Sequence, residues 1–187
     1  MSQSVILDEK AVKKLTSYLE GMPKDAPKAV ARAMNRAIMS TGTAAAKIIT
    51  QKYTLKSKDV KQTVLIKKAK PDELTAEFQS RSDKSSLSMA HYKFSPKKDT
   101  TGSNQKPVTA TVKKGSPFVV DKGFVYNGNV FRRVGKERLP IEVKTGPTVP
   151  QLLSQEDAFE ELQKTTADNF MKRLDHEVEA LLKGYTK

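Results

Sequence analysis

Apolar side chains recur at helical spacing in two long stretches, one near each end of the chain. Between positions 26 and 53 the stripe consists of Val30, Met34, Ile38, Thr41, Ala45, Ile48 and Ile49. Between positions 155 and 183 it consists of Phe159, Leu162, Thr166, Phe170, Leu174, Val178, Leu181 and Leu182. Because residues three and four apart share one helix face, each stretch predicts an amphipathic helix packed through its stripe. Ser154 is the predicted N-cap of the second helix.

Two shorter helices are also predicted. Residues 8–20 carry apolar side chains at helical spacing, with Asp8 as the cap and Gly21 as the stop signal. Residues 57–63 predict one or two further turns, with Ser57 as the cap.

Alternating apolar and polar residues predict short strands in two parts of the chain. Residues 64–69 and 75–80 form one candidate pair, and several short strands are expected between 108 and 145. Asn127-Gly128 is a strong signal for a tight hairpin turn. Pro140 places the last of these strands at a sheet edge or a bulge.

The stretch between these strand regions, residues 81–107, is dense in Ser, Lys, Asp, Thr and Gly. We predict an extended or mobile loop, anchored by Leu87, Met89, Tyr92 and Phe94. The whole pattern predicts an α+β fold in a single domain over residues 1–187, in which N-terminal helices and a long C-terminal helix pack on a small, mostly antiparallel sheet.

Charge is the strongest compositional signal. The chain has 34 basic and 21 acidic side chains, a net charge of +13. Residues 1–70 hold 15 basic and 5 acidic side chains, whereas residues 151–187 hold 5 basic and 8 acidic ones. Such a balance favours an anionic partner, and the opposite signs of the two ends allow copies of the chain to pair with one another.

Several classes of chemistry lack their sequence signals. There is no cysteine, and His176 has only Glu179 at ligand spacing, so disulfides are excluded and a metal site is not expected. Nucleophile-elbow and phosphate-loop motifs are missing. No apolar stretch is long enough to cross a membrane, and the N-terminus does not resemble a signal peptide. We therefore expect neither an enzyme nor a cofactor, and assembly in the cytoplasm.

A segment with several prolines and glycines, residues 130–153, resembles the sequence of a known protein family. Residues 130–153 contain Phe-Arg-Arg, then Gly-Lys, then Arg-Leu-Pro-Ile, then Gly-Pro-Thr-Val-Pro leading into the last helix. This order resembles the tail completion protein Z family of lambda-type phages and prophages. Ala31-Arg-Ala-Met-Asn-Arg-Ala-Ile resembles the family's N-terminal helix, and the residues from Tyr53 to Lys61 resemble the basic turn that follows it.

The resemblance, which spans residues 26–183, implies a structural virion component that acts at the head-proximal end of a long phage tail. There it would help to join head and tail and to position the DNA end, in contact with other tail and neck proteins. It implies no catalytic residues. Tails are built on rotational symmetry, so we expect a ring, taken as a hexamer.

Two sets of residues are candidates for these contacts. The candidate subunit interface joins a basic strand region to an acidic helix turn: Phe131, Arg132, Arg133, Arg138, Glu156 and Glu160. The basic region could equally contact phosphates. The candidate DNA-facing set lies along and beyond the first long helix: Lys28, Arg32, Arg36, Lys47, Lys52 and Lys56. A solvated helix face is the alternative for this set. The alternative for the whole protein is a standalone, basic, non-specific nucleic-acid-binding protein.

Overall fold

The computed structural model describes residues 2–6, 26–100 and 106–184. Four α-helices lie in this part of the chain: α1 (Ala26–Lys52), α2 (Ser57–Lys61), α3 (Val149–Leu153) and α4 (Glu156–Leu182). The strands are β1 (Ser2–Ile6), β2 (Val64–Lys67), β3 (Glu77–Arg81), β4 (Leu87–Ser88), β5 (Lys93–Ser95), β6 (Thr109–Thr111), β7 (Pro117–Val119), β8 (Gly123–Tyr126), β9 (Asn129–Arg133), β10 (Ile141–Val143) and β11 (Thr145–Gly146). The predicted α+β class is confirmed.

The two long helices, α1 and α4, pack side by side and run in opposite directions. Lys52 at the end of α1 binds Asp157 at the start of α4, while Arg32 near the start of α1 binds Glu177 near the end of α4. Alanines favour the helical conformation of α1, and Ala29, Ala33, Ala37 and Ala45 all lie on its buried side. In the middle, the buried hydroxyls of Thr41 and Thr166 are 3.0 Å apart and form a hydrogen bond.

The core lies between this helix pair and the strands. Its largest fully buried side chains include Met34, Ile38, Ile49, Phe78, Leu152, Leu153, Leu162 and Phe170. The apolar stripe predicted for α1 is its buried face. In the stripe predicted for α4, the middle positions from Leu162 to Leu174 are buried, whereas Phe159, Val178 and Leu181 are half-buried. Two predicted N-caps are wrong. Lys56, not Ser57, is the N-cap of α2. Ser154 ends α3, and Gln155 precedes α4.

The strands form four small sheets within the described residues, with the strand orders β1-β3-β2, β5-β6-β7, β10-β9-β8 and β11-β4. Their pairings are antiparallel. The predicted hairpin at Asn127-Gly128 joins β8 to β9, and both turn residues have positive φ angles of 47° and 71°. This geometry explains why asparagine and glycine occupy the turn. Pro140 immediately precedes β10, which is an edge strand as predicted.

The segment predicted as a loop is ordered over residues 87–95, where β4, a 3₁₀ turn (Met89–His91) and β5 follow one another. Three of its four predicted anchors are buried, namely Met89, Tyr92 and Phe94, and Leu87 packs against the core. Thr100 is also buried, and its backbone N–H donates to the Val125 carbonyl at 3.0 Å. Residues 101–105, and the predicted helix at 8–20, lie outside the described residues.

The Gly-Pro-Thr-Val-Pro motif fixes the passage from the sheets to the C-terminal helices. Gly146 lies against Tyr92, where a Cβ atom would be 2.9 Å from the ring. The Tyr92 hydroxyl donates to the Pro147 carbonyl, and burial raises the pKa of this phenol. The Thr148 N–H donates to Gln151 Oε1 at 2.7 Å, which satisfies a free amide at the start of α3.

Candidate interaction surfaces

The candidate DNA-facing residues divide between the two ends of α1. Arg32 Nε is 2.9 Å from Glu177 Oε2, and Arg36 Nη1 is 2.8 Å from Glu177 Oε1. The Glu177 side chain is 6% exposed, whereas the two arginines are 41% and 50% exposed. This carboxylate therefore anchors both arginines, which tie α1 to α4. Lys28 lies exposed one turn earlier, and Lys47 is exposed farther along the helix.

The C-terminal end of α1 lies about 30 Å from Arg32, at ~1.5 Å of rise per residue. There Lys52 Nζ is 2.9 Å from Asp157 Oδ2 and 3.8 Å from Glu161 Oε2. The hydrogen bond between the first pair raises the pKa of Lys52 and lowers that of Asp157. The acidic first turns of α4 are thus partly engaged within the chain. The other two carboxylates of these turns, Glu156 and Glu160, are exposed.

Three chain segments converge beside this end of α1. The Thr54 N–H donates to the Val112 carbonyl at 3.0 Å, and the Lys93 N–H donates to the Thr54 hydroxyl at 3.1 Å. The Lys114 N–H donates to the Lys52 carbonyl at 2.9 Å. These bonds bring together exposed lysines that are far apart in sequence, which we call the lysine cluster: Lys56, Lys93, Lys97, Lys113 and Lys114.

The lysine cluster is a dense positive surface. Partial burial lowers the pKa of Lys97, and the nearby charge of Lys56 lowers it further. The Lys97 ammonium also lies 3.5 Å from the centroid of the Phe94 ring. An anion at this surface would relieve the repulsion between lysines, so the geometry suits a polyanion. Sequence reasoning found only Lys56 of this cluster. It left residues 81–107, with Lys93 and Lys97, without a fixed position, and only long-range backbone bonds bring Lys113 and Lys114 beside α1.

The candidate subunit interface begins on the sheet formed by β8, β9 and β10, which we call the β8–β10 sheet. Its two faces differ sharply. Val125 and Val130 face the core and are fully buried. Phe131 follows Val130 on β9, so its side chain lies on the opposite, outer face. Phe124 and Val143 are the residues paired with Phe131 on the two neighbouring strands, so their side chains lie on the outer face as well.

Neighbouring residues of β9 point to opposite faces, so the candidate interface residues separate. Phe131 and Arg133 lie on the outer face, where the Arg133 guanidinium is 5.2 Å from the Phe124 ring centroid. Arg133 also donates to the Arg138 carbonyl at 2.5 Å. Arg132 points the other way and binds Glu142 on the neighbouring strand. One flat contact therefore cannot use Arg132 and Arg133 equally.

The outer face of the β8–β10 sheet is apolar and partly exposed, with Phe124 and Phe131 half-buried. Phe124 and Phe131 stack with ring centroids 5.8 Å apart, and the Tyr126 ring lies 6.4 Å from that of Phe131. Tyr126 is 53% exposed, and Ile141 and Val143 are 40% and 43% exposed. Large apolar side chains on a free surface are a common mark of an interaction site.

Residues 2–6, 26–100 and 106–184 contain neither a candidate metal site nor a candidate membrane span. These residues contain no group of three or more His, Cys, Asp or Glu side chains that could hold a metal ion. Across the same ranges, no helix has the length and apolar character needed to span a bilayer.

Comparison with known proteins gives one strong match. No curated protein and no solved structure matches the chain. The model of the family described as prophage minor tail protein Z (GPZ) matches residues 9–187, which is nearly the whole chain. The chain therefore belongs to the prophage minor tail protein Z family.

Proposed function

We propose that this protein completes the head-proximal end of a phage tail, where it joins the tail to the head and positions the end of the DNA. Family membership makes it a structural tail component that works with other tail proteins. The lysine cluster is the observation that supports a position at the head-proximal end. A tail protein at that end meets the DNA, and a dense group of lysines suits contact with its phosphates.

Deletion of the gene from its phage or prophage tests the position in the tail. Tails of normal length should accumulate unjoined to heads, or be joined to heads with the DNA end misplaced. Electron microscopy of purified particles and nuclease access to the DNA end measure both results. Normal joining and infectivity, or a defect confined to the distal tip, would contradict the proposal.

The lysine cluster and Lys47 are the proposed DNA contacts. Arg32 and Arg36 are instead proposed to hold α1 against α4, because both bind Glu177. Because each phosphate contact releases counterions, the logarithm of the affinity should fall by about 0.9 per contact for each tenfold rise in salt. Duplex binding should weaken strongly in the triple variant K93E, K113E and K114E. The matched control replaces three exposed cations of α4: K164E, K172E and R173E.

Equal losses in the two triple variants would mean that only net charge matters. Tight duplex binding by a monomer that is missing from purified tails would favour the alternative, a standalone nucleic-acid-binding protein.

A ring of copies, taken as a hexamer, is the proposed assembly in the virion. Rings need two different faces that meet head to tail. We assign the charged part of this contact to Arg132 and Arg138 on one copy, and to Glu156 and Glu160 on the next. All four side chains are exposed, and the two groups carry opposite charge. Phe131 and Arg133 are left on the outer face of the β8–β10 sheet.

Charge reversal tests the ring. Arg138→Glu is the cleaner single change, because Arg132 already binds Glu142. It should leave the monomer folded and reduce incorporation into tails. Adding Glu156→Arg and Glu160→Arg to that variant should restore incorporation. Quantitative mass spectrometry should find six copies per tail, and a single copy would rule out the ring.

A further inference from the structure

Strand β10 has a free backbone edge. The Val134 N–H donates to the Pro140 carbonyl at 3.2 Å, and the Lys144 N–H donates to the Val130 carbonyl at 2.8 Å. Since hydrogen-bonded pairs alternate along an antiparallel ladder, Glu142 is the residue in between that bonds β9. The N–H and C=O groups of Ile141 and Val143 then point away from β9. These groups have no hydrogen-bond partner among the residues that the structure describes.

The same strand contributes to the apolar outer face. Ile141 and Val143 lie beside Phe131 and Arg133, which they face across the ladder. Phe124 and Tyr126 continue this surface on β8. A strand added along β10 would place every second side chain against this face.

Edge protection explains part of this arrangement. Natural sheets blunt free edges with short strands, proline and charged residues. Strand β10 is three residues long, contains Glu142 and directly follows Pro140. Protection does not explain why the face beside the edge carries exposed aromatic and branched side chains. That composition, with an arginine at its rim, is typical of the centre of a protein interface.

Charge distinguishes between possible occupants of the edge. Residues 123–144 hold five basic and two acidic side chains, a net charge of +3. If β10 of a second copy paired with this edge, two basic surfaces would come together. If β2 or β7 of another copy paired with it, the lysines that flank those strands would do the same. The repulsion disfavours all three pairings. An acidic partner would instead be attracted.

We propose that the free edge of β10 and the outer face of the β8–β10 sheet bind an extended, acidic segment of a different protein, with apolar side chains at alternate positions. The segment adds a fourth strand beside β10. Its backbone bonds Ile141 and Val143, its apolar side chains cover the outer face, and its carboxylates lie near the basic rim. This contact does not use the lysine cluster. Its basic rim includes Arg132 and Arg138, which the proposed ring also uses, whereas the free edge and the outer face are separate from the ring contact.

A synthetic peptide tests the proposal on the full chain. The probe is the capped heptapeptide Glu-Val-Glu-Val-Glu-Val-Glu, and the controls are a scrambled peptide of the same composition and the basic peptide Lys-Val-Lys-Val-Lys-Val-Lys. Amide exchange is followed by NMR. The acidic probe should slow exchange of the Ile141 and Val143 amides at least tenfold. The Glu142 and Lys144 amides, which already bond β9, should change little.

Two variants separate strand addition from a loose contact. Val143→Pro removes an outward N–H and should abolish the protection of Ile141, whereas Val143→Thr should keep it. Val143→Asp keeps the backbone donor but adds a negative charge to the face, so it should weaken binding. The Val125 N–H donates to the Thr100 hydroxyl, so alternation along the ladder makes Phe124 and Phe131 the hydrogen-bonded pair of β8 and β9. Unchanged exchange of the Phe124 and Phe131 amides shows that each variant has kept the sheet.

Four results would overturn the proposal. These are no protection by the acidic probe, equal protection by the basic or scrambled peptide, protection that grows with protein concentration alone, and stronger protection by a twelve-nucleotide oligothymidylate. The third result would assign the edge to a second copy, and the fourth would assign the face to single-stranded DNA.

Discussion

The α1–α4 helix pair and the β8–β10 sheet differ in how far they bury their apolar side chains and pair their polar groups within the chain. The helix pair buries its apolar stripes against the core and pairs its buried polar groups internally, as Thr41 does with Thr166 and as Glu177 does with two arginines. The sheet buries only one face. On the other face Tyr126, Ile141 and Val143 are exposed, and the backbone edge of β10 is free. The helices thus complete the fold of one chain, while the sheet has the character of a surface that a partner completes.

The largest expected contrast between the two regions is in stability. Phe170 of α4 is fully buried, so Phe170→Ala should lower the free energy of unfolding by ~3–5 kcal/mol. Tyr126→Ser on the outer face should change it by less than ~0.5 kcal/mol, as is usual for exposed positions. Urea unfolding followed by circular dichroism measures both. Similar losses in the free energy of unfolding for the two variants would contradict this difference between the helix pair and the sheet.

A smaller effect is expected where the sheets meet the C-terminal helices. Gly146→Ala would place a methyl group 2.9 Å from the Tyr92 ring, which a hydrogen bond holds in place. The overpacking should cost ~1–3 kcal/mol. Gly135→Ala is the control, because its methyl group would have 3.9 Å to the nearest atom. A cost at position 146 no greater than that at 135 would mean that Tyr92 moves freely.

The ion pairs that tie α1 to α4 should have a moderate effect. Glu177→Gln leaves two guanidinium groups without their carboxylate, but both are about half exposed and keep water contacts. We therefore expect a loss of about 1–2 kcal/mol, below that for breaking a fully buried pair. The loss should shrink in the Arg32→Met, Arg36→Met background. A loss of the same size in that background would show that the ion pairs do not matter.

The smallest effect concerns the exposed pair of Lys52 and Asp157. The folded-state pKa of Asp157 is below its ordinary value of 3.8, so its contribution is complete above that pH and is lost as the pH falls through the folded value. Asp157→Asn should therefore reduce the drop in Tm between pH 7 and pH 3. An Asn variant whose Tm falls as much as that of the wild type would show that the pair is too weak to register.

The sequence predicted those elements whose formation depends on residues close together along the chain. The spacing of Phe170 and Leu174 predicted α4, and Asn127-Gly128 predicted the β8–β9 hairpin, because each signal lies within a few residues. Helix α3 was missed because it has only five residues, too few for an apolar pattern to repeat at helical spacing. Strand β5 was missed because it is three residues long and lies in a polar stretch.

The candidate surfaces depended on contacts that no local pattern contains. Glu177 lies 145 residues from Arg32, so the sequence could not show that this arginine is already paired. The lysine cluster joins segments around residues 56, 93 and 113, which only the folded chain brings together. The opposite orientation of Arg132 and Arg133 was within reach, since alternation along a strand follows once the strand is recognised.

Amide exchange of the protein in purified tails, compared with the isolated chain, tests the contrast between the two regions most directly. Assembly should slow exchange at Ile141 and Val143 of β10, and protect the outer face of the β8–β10 sheet from labelling at Tyr126. The amides of α1 and α4, already protected in the isolated chain, should change little. Unchanged exchange of β10 in tails, with new protection confined to the helices, would contradict the account.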